Sequence, residues 1–514
     1  MSNRPETNKQ SCPVYKKCGG CQLQNLSYPE QLEFKQRKVE KLLKRFCTVE
    51  KIIGMKTPYH YRNKVQAAFY TDKKGKIISG VYQSGSHHVV GIDSCQTEDV
   101  IADKIIVAVR KLLPSFRMTT YNEDTGKGFL RHILVKRGFA TNQIMLVLVT
   151  GTPVFPSKNN FVKAILKQFP EITTIVQNIN PYRTNLVLGD NQKVLYGKGY
   201  IEDILCGCKF RISPKSFYQI NPVQTEVLYG KAIEFANLKG NETVLDTYCG
   251  IGTIGIIAAK NGAGNVIGAE LNGDAVRDAI VNARANNLKN IRFYKADAGE
   301  FMREAADEDE KPDIVFMDPP RAGSDRKFLD SLIKMSPKKV VYVSCNPETL
   351  ARDLAYLTQN SPYKAQKIQP VDMFPHTAHI ETVVLLSQLK QKPDDYINVT
   401  IELDDMDVTS AETKVTYDEI KKYVAEHNDG MKVSNLYISQ VKRKCGIEVG
   451  KNLCVATRRM DCLQGNSTTA AIDLEIVPSP NLPKNEDSRQ PQCPEDKESA
   501  IVEALKYFKM IQQK

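Results

Sequence analysis

Between residues 206 and 390 the chain alternates strand-like and helix-like stretches, and this alternation limits the fold more than any other feature. A helical pattern at 222–237 leads to the strand ETVLDTYC (242–249) and to a helix across 253–260. NVIGAEL (265–271) precedes the helix DAVRDAIVNARANN (274–287). Four further strands follow: IRFYKAD (291–297), DIVFMD (313–318), KVVYVSC (339–345) and IETVVLLS (380–387). Parallel strands need crossover helices, so the pattern predicts a doubly wound, mostly parallel α/β sheet that binds ligands at the carboxyl ends of its strands.

The flanking sequence has a different texture. Residues 55–205 carry short β-rich runs, among them KVQAAFY (64–70), HHVVGI (87–92), QIMLVLVT (143–150) and VLYGKGY (194–200), with helices around 99–112 and 160–168. They predict an antiparallel central domain. Residues 1–54 hold a cysteine-rich turn and an amphipathic helix over 28–46. Residues 391–514 read as an α+β extension: a linker and strand, a helix at 416–427, an Asn-, Ser-, Thr- and Pro-rich stretch over 451–494, and a closing helix at 499–511. The expected division is thus 1–54, 55–205, 206–390 and 391–514.

Charge follows the same division. Residues 1–90 hold 17 Lys/Arg against 6 Asp/Glu, a net of +11, whereas residues 391–514 hold 17 against 21, a net of −4. A positive front end suits a polyanion gathered by its phosphates. Arg62 and Lys64, with Arg131, His132 and Arg137 in GFLRHILVKRG, are candidates for holding its backbone. No apolar run is long enough to span a bilayer, and the polar N-terminus has no signal-peptide h-region, so a cytoplasmic protein is expected.

The chemistry is concentrated at strand ends. VLDTYCGIGTIG (244–255) ends a strand in Asp246 and continues into a turn with Gly250 and Gly252, where a ligand can approach the backbone. Glu270 ends the next strand and suits ribose hydroxyls, and Asp297 ends the third, facing an adenine. Asp318-Pro319-Pro320-Arg321 ends the fourth strand and Ser344-Cys345-Asn346-Pro347 the fifth, so both belong on the ligand rim. A thiol there answers a chemical need. C5 of uracil is a poor nucleophile until a thiolate adds at C6 and creates an enolate. A base must then remove the C5 proton, and Glu381 in HTAHIETVVLL (376–386) is the candidate. Asp318 and Gln219 are candidates for fixing the uracil edge or the methionine end of a cofactor. Cys249, inside the turn, reads as packing.

The acid–glycine–acid–acid ladder is similar to that of class I S-adenosylmethionine methyltransferases. FYQINPVQTEVLY (217–229), DTYCGIGT, DPPRAG, SCNP and HTAHIETVVLL, in this order, resemble the RNA uracil-C5 methyltransferase family over residues 12 to about 388. The resemblance implies a Rossmann-like catalytic domain, Cys345 as nucleophile and Glu381 as base. It further implies S-adenosylmethionine contacts from Gln219, Tyr248, Thr253, Glu270, Asp297 and Asp318.

Thirteen cysteines in a chain expected to stay in the cytosol are not a disulfide framework. Cys12-x5-Cys18-Gly-Gly-Cys21, with Cys95 as a distant fourth thiol, has the donors for tetrahedral zinc or a [4Fe–4S] cluster, and three ligands before one distant ligand favour iron–sulfur. The resemblance implies the same, because its ribosomal branch binds [4Fe–4S] through this spacing. That branch points to 23S ribosomal RNA as partner, with a transfer-RNA T-loop as the alternative; a monomer is expected. The OB-like RNA-binding module of many relatives is not expected before Cys12. Instead, VKRKCGIEVGK (441–451) offers the C-terminal extension an RNA contact.

Three rivals have weaker support. An amino-group methyltransferase has an aromatic residue where Arg321 stands. A DNA cytosine-C5 enzyme carries its nucleophile after a proline rather than after Ser344. An inactive iron–sulfur RNA-binding protein has no use for a paired Cys345 and Glu381.

Overall fold

Residues Met1–Asp394 form one unit and Asp395–Lys514 a second. The computed structural model describes residues 12–83, 86–184, 186–308, 311–388, 417–444 and 494–507. At the front of the first unit, the one-turn helix α1 (Tyr15–Cys18) stops at Gly19, whose φ of 69° carries no Cβ penalty in glycine. Helix α2 (Tyr28–Leu43) begins in a capping box, Ser27 and Glu30 each bonding the other's backbone.

Seven strands then form the central sheet: β1 (Lys64–Thr71), β2 (Ile77–Tyr82), β3 (Val89–Gly91), β4 (Leu130–Arg137), β5 (Ile144–Thr150), β6 (Ile172–Ile179) and β7 (Asn191–Tyr196). Their order is β3-β2-β1-β4-β5-β6-β7. On one face Val65, Phe69, Ile133, Val135 and Leu146 pack with Ile105 and Val109 of α3 (Val100–Leu112) and with Phe161 and Ile165 of α4 (Lys158–Gln168). The sheet departs from the antiparallel expectation at one pair. β5 and β6 run parallel, because α4 carries the chain back across the sheet.

A hairpin, β8 (Ile201–Leu205) and β9 (Cys208–Ile212), leads into the alternating region. There follow α5 (Pro222–Ala236), β10 (Thr243–Asp246), α6 (Thr253–Lys260), β11 (Asn265–Glu270), α7 (Gly273–Ala285), β12 (Ile291–Lys295), α8 (Ala298–Asp307), β13 (Ile314–Met317), α9 (Arg326–Met335), β14 (Lys339–Ser344), α10 (Pro347–Asn360), β15 (Tyr363–Val371) and β16 (Glu381–Gln388). The strand order is β12-β11-β10-β13-β14-β16-β15, in which β16 runs antiparallel to both of its neighbours and the other six strands share one direction. This is the doubly wound α/β sheet expected of residues 206–390.

Neighbouring residues on β10 feed opposite faces, as a strand's period of two requires. Val244 joins Leu228, Ile256 and Ala283 on one side, and Leu245 joins Met302, Phe328 and Leu350 on the other, where Val39 and Leu43 of α2 complete the layer. Chain order reverses between β10 and β13, and a crevice at such a reversal is where open α/β sheets bind ligands. β15 was not expected as a strand. YKAQKIQPV has few β-branched residues, and its pairing is supplied by β16.

In the second unit, α11 (Tyr417–His427), α12 (Asn435–Lys444) and α13 (Glu495–Tyr507) pack around Ile420, Val424, Ile438, Val441, Ile501 and Leu505. The linker and strand expected after residue 390, the stretch 451–493 and most of VKRKCGIEVGK lie outside the described residues. No described helix is long and apolar enough to cross a membrane.

Candidate active site

The turn after β10 is built by Asp246 and glycine. Gly255 N donates to Asp246 Oδ2 at 2.8 Å, and the other carboxylate oxygen is buried without a partner. Gly252 has φ 83°, and a Cβ there would meet the Phe293 ring at 2.8 Å, so glycine is required twice over. Glu270 accepts from Gly250 N (3.1 Å) and Asn272 N (2.7 Å), which aims it at the turn. Asp297 is the N-cap of α8, accepting from Gly299 N and Glu300 N with one oxygen. Tyr248 packs on Phe328, and its hydroxyl lies 3.5 Å from Ser324 Oγ. Gln219 and Thr253 both hydrogen-bond with the buried Tyr229 hydroxyl, so two predicted contact residues share one neighbour.

Two carboxyls here are strongly desolvated. Burial pushes Asp246 up to about 7, with Asp318 and Glu270 adding repulsion, and burial alone pushes Asp318 up to about 7. Among the described residues none of Asp246, Glu270 and Asp318 has an ion-pair partner within 4 Å. Acids converging on a glycine turn without a resident cation fit a ligand that is cationic and hydroxyl-bearing, as a sulfonium nucleoside is.

Cys345 follows the last residue of β14 and precedes Asn346, the N-cap of α10. Ser344 pairs with Thr382 across the antiparallel β14–β16 ladder, so the next step of the register sets Cys345 opposite Glu381. Burial, Glu381 and Asp318 push the Cys345 thiol up to about 11, with Arg321 pulling the other way. Glu381 is buried and held well above the usual carboxylate range by desolvation and by Asp318. The two motifs are tied together. Asn346 Nδ2 and Thr349 Oγ1 each donate to Arg321 O at 3.2 Å, Arg352 reaches the Ala322 and Ser324 carbonyls, and Asp353 accepts from Ser324 N and Tyr342 Oη.

The loop before Glu381 is gripped by the other end of the chain. Lys35 of α2, fully buried, donates to Asp372 Oδ1 at 2.6 Å and to Phe374 O at 3.0 Å. Tyr28 donates to Asp372 Oδ2, and Tyr61 to Pro375 O. Gln31 Oε1 accepts from His376 N at 2.8 Å, and Leu23 N donates to His376 O at 2.9 Å. Sequence reasoning missed these contacts. Lys35 sits in a lysine-rich helix, and the one available signal was its spacing, four residues before Val39 on the buried stripe.

The four predicted cluster cysteines share a neighbourhood. Burial pushes the Cys21 thiol up to about 12, reinforced by Cys95, Cys18 and Cys12, with Arg62 opposing. Gln24 hydrogen-bonds Gln96, joining the two cysteine segments. Among the described residues, however, no three His, Cys, Asp or Glu side chains are drawn to metal-ligand spacing.

The basic candidates divide. Arg137 pairs with Asp99 at 2.6 Å, and Arg62 and Lys64 are half-buried. Arg131 and His132 are buried, Arg131 in a two-pronged ion pair with Glu123, so neither offers free charge to an RNA backbone as expected. A bulge in β4 between Leu130 and His132 turns both inward.

Comparison with known proteins agrees with this geometry. A family model described as tRNA (Uracil-5-)-methyltransferase matches residues 177–389. An RNA methyltransferase of Bacillus cereus (strain ATCC 10987 / NRS 248), named as uncharacterized, is 44% identical over 392 residues, which is 75% of this chain and 85% of the relative. One from Listeria monocytogenes serotype 4b (strain F2365) is 46% identical over 379 residues, covering 73% and 83%. The Pyrococcus abyssi tRNA (uracil-54, C5)-methyltransferase in complex with S-adenosyl-L-homocysteine is 30% identical, with a TM-score of 0.61 over 71% of this chain and 85% of that one. The chain belongs to the RNA uracil-C5 methyltransferase family.

Proposed function

We propose that this protein methylates C5 of a specific uridine in RNA through a covalent bond from Cys345 Sγ to C6 of the uracil, giving 5-methyluridine. The observation that carries it is the β14–β16 register, which brings a rim thiol opposite a buried carboxyl. S-adenosylmethionine, when bound, supplies an electrophilic sulfonium methyl. Gln219, Tyr248, Thr253, Glu270, Asp297 and Asp318 would hold it, with Glu270 toward the ribose and Asp297 toward the adenine.

Cys345 must release its proton to solvent before it adds, and Arg321 and the start of α10 both favour the thiolate. The S–C6 bond forms, and C5 would take the methyl group as its bond to the donor sulfur breaks and a neutral thioether departs. The C5 proton then passes to Glu381, and the S–C6 bond breaks to restore the ring. Burial and Asp318 favour the protonated form of Glu381, so binding that relieves their repulsion would favour the base.

Cys12, Cys18, Cys21 and Cys95 would hold a [4Fe–4S] cluster, which when bound would lock the front segment as a structural clamp. This supports 23S ribosomal RNA as the substrate. A second reading, a transfer-RNA T-loop uridine, is favoured by the likeness to the Pyrococcus protein, whose name specifies uracil-54 of tRNA.

Labelled S-adenosylmethionine with unmodified ribosomal and transfer RNAs tests the reaction and the substrate together. Label at C5 of a uridine is expected; label confined to exocyclic amines refutes the proposal. RNA containing 5-fluorouridine cannot lose a C5 proton, so a denaturation-resistant adduct is expected that Cys345→Ala abolishes. Iron and sulfide content, with visible absorbance lost in Cys18→Ala, tests the cluster.

A further inference from the structure

A cavity of about 530 Å³ opens in the central sheet, lined by Gln66, Tyr82, Glu123, Arg131 and His132. That is within the range of small-ligand sites. Its walls are preassembled. Arg131 Nε and Nη2 bind both oxygens of Glu123 at 2.6 and 2.7 Å, and Arg131 also donates to the carbonyls of Tyr182 and Thr184. The guanidinium is thus fully committed and its charge is balanced by Glu123, a poor environment for phosphate. The remaining wall suits a flat ring with a polar edge, because Gln66 is exposed on it beside Tyr82. Tyr82 meets His132 edge to face with centroids 6.0 Å apart, and His132 Nδ1 is buried without a partner. Burial and Arg131 push His132 down to about 4, so its imidazole is neutral.

The cavity is connected to the active site by one pair of strands. Lys64, Gln66 and Ala68 of β1 oppose Lys136, Leu134 and His132 of β4, so all six lie on one face. At the near end of this face, Lys136 Nζ donates to Ser213 O (2.9 Å) and Ser216 O (2.8 Å), and Asn63 Nδ2 donates to Gln219 O (3.1 Å). Lys64 and Ala68 are four residues apart, about 14 Å along a strand, or the rise of about four stacked nucleotides.

We propose that this cavity receives a second unpaired base of the RNA substrate, a few nucleotides from the uracil at Cys345, and recognises it by stacking and by hydrogen bonds to Gln66. The inference rests on the reading of the chain as an RNA methyltransferase. A purpose for it follows from single-stranded recognition, in which splayed bases are read by aromatic faces and polar side chains.

The test is filter retention of unmodified ribosomal and transfer RNA transcripts by the full chain at about 0.2 M salt, where phosphate attraction is weakened. Gln66→Leu and Tyr82→Leu are expected to weaken binding about tenfold each, and Tyr82→Phe, which keeps the ring, much less. Melting temperature and S-adenosylmethionine affinity, measured alongside, are expected to stay at wild-type values. Retention within twofold of wild type for both leucine variants overturns the proposal, as does an equal loss in Tyr82→Phe. Wild-type protein that retains RNA but never methylates it would sink the proposed reaction while leaving this binding test intact.

Discussion

Cys345 pairs the reactivity of a thiol with surroundings that keep it protonated. With its thiol pushed up to about 11, the reactive thiolate is a small fraction at neutral pH and grows about tenfold per pH unit. Adduct formation with 5-fluorouridine RNA is therefore expected to speed up steadily between about pH 6.5 and 8.5; a flat profile, followed by gel shift under denaturing conditions, would show that thiol ionisation does not limit the step. Asp246 and Asp318 act on stability. Both bind protons more tightly folded than unfolded, so their contribution is fully present below the ordinary carboxylate range and is lost as pH rises through about 7. The contribution of these two groups to the melting temperature of the ligand-free protein should fall between about pH 4 and 7 and level off above it, and less so in Asp318→Asn, by calorimetry at matched salt. Residue types and spacing revealed the ends of β10, β11, β13 and β14 in the sequence, because an acid or thiol that closes an apolar run is a local signal. The inward turn of Arg131 and His132 was not legible, since it depends on a bulge against β5.

At the level of elements, the contact of α2 with the loop before β16 has the largest energetic stake. Lys35 and Asp372 are both fully buried, so removing one partner leaves an uncompensated charge. Lys35→Met is expected to cost about 3–5 kcal/mol of stability. Lys35→Met combined with Asp372→Leu should regain much of that loss, read from paired denaturant titrations; equal losses in both would show that the charge itself is not what matters. Helical and strand periods revealed α2 and β16 separately. Nothing local pairs them, because a lysine's partner 337 residues away leaves no periodic trace. β15 was hidden for a similar reason, its strand character being conferred by a neighbour.

At the level of the whole molecule, the described residues of Met1–Asp394 form three buried cores, and those of the second unit have their own core around Ile420 and Ile501. The Bacillus and Listeria relatives align over lengths comparable to the first unit. A chain ending at Asp394 is expected to fold, melt at the same principal temperature and bind S-adenosylmethionine as tightly as the full protein, measured by calorimetry and titration. Loss of the folded state would mean that the second unit is needed for the first.

The grip of α2 on the loop before Glu381 also sets a timetable for synthesis. The helix emerges first and its partner near the end of the unit, so at roughly 5–20 residues per second the carboxyl reaches its place about 20–70 s later. Through that interval Lys35 has no counter-ion, and a nascent chain on the ribosome has the thiol's sheet only in part. On the proposed mechanism, a stalled or truncated product lacking the last strands would have no Glu381 to complete the reaction on the RNA around it.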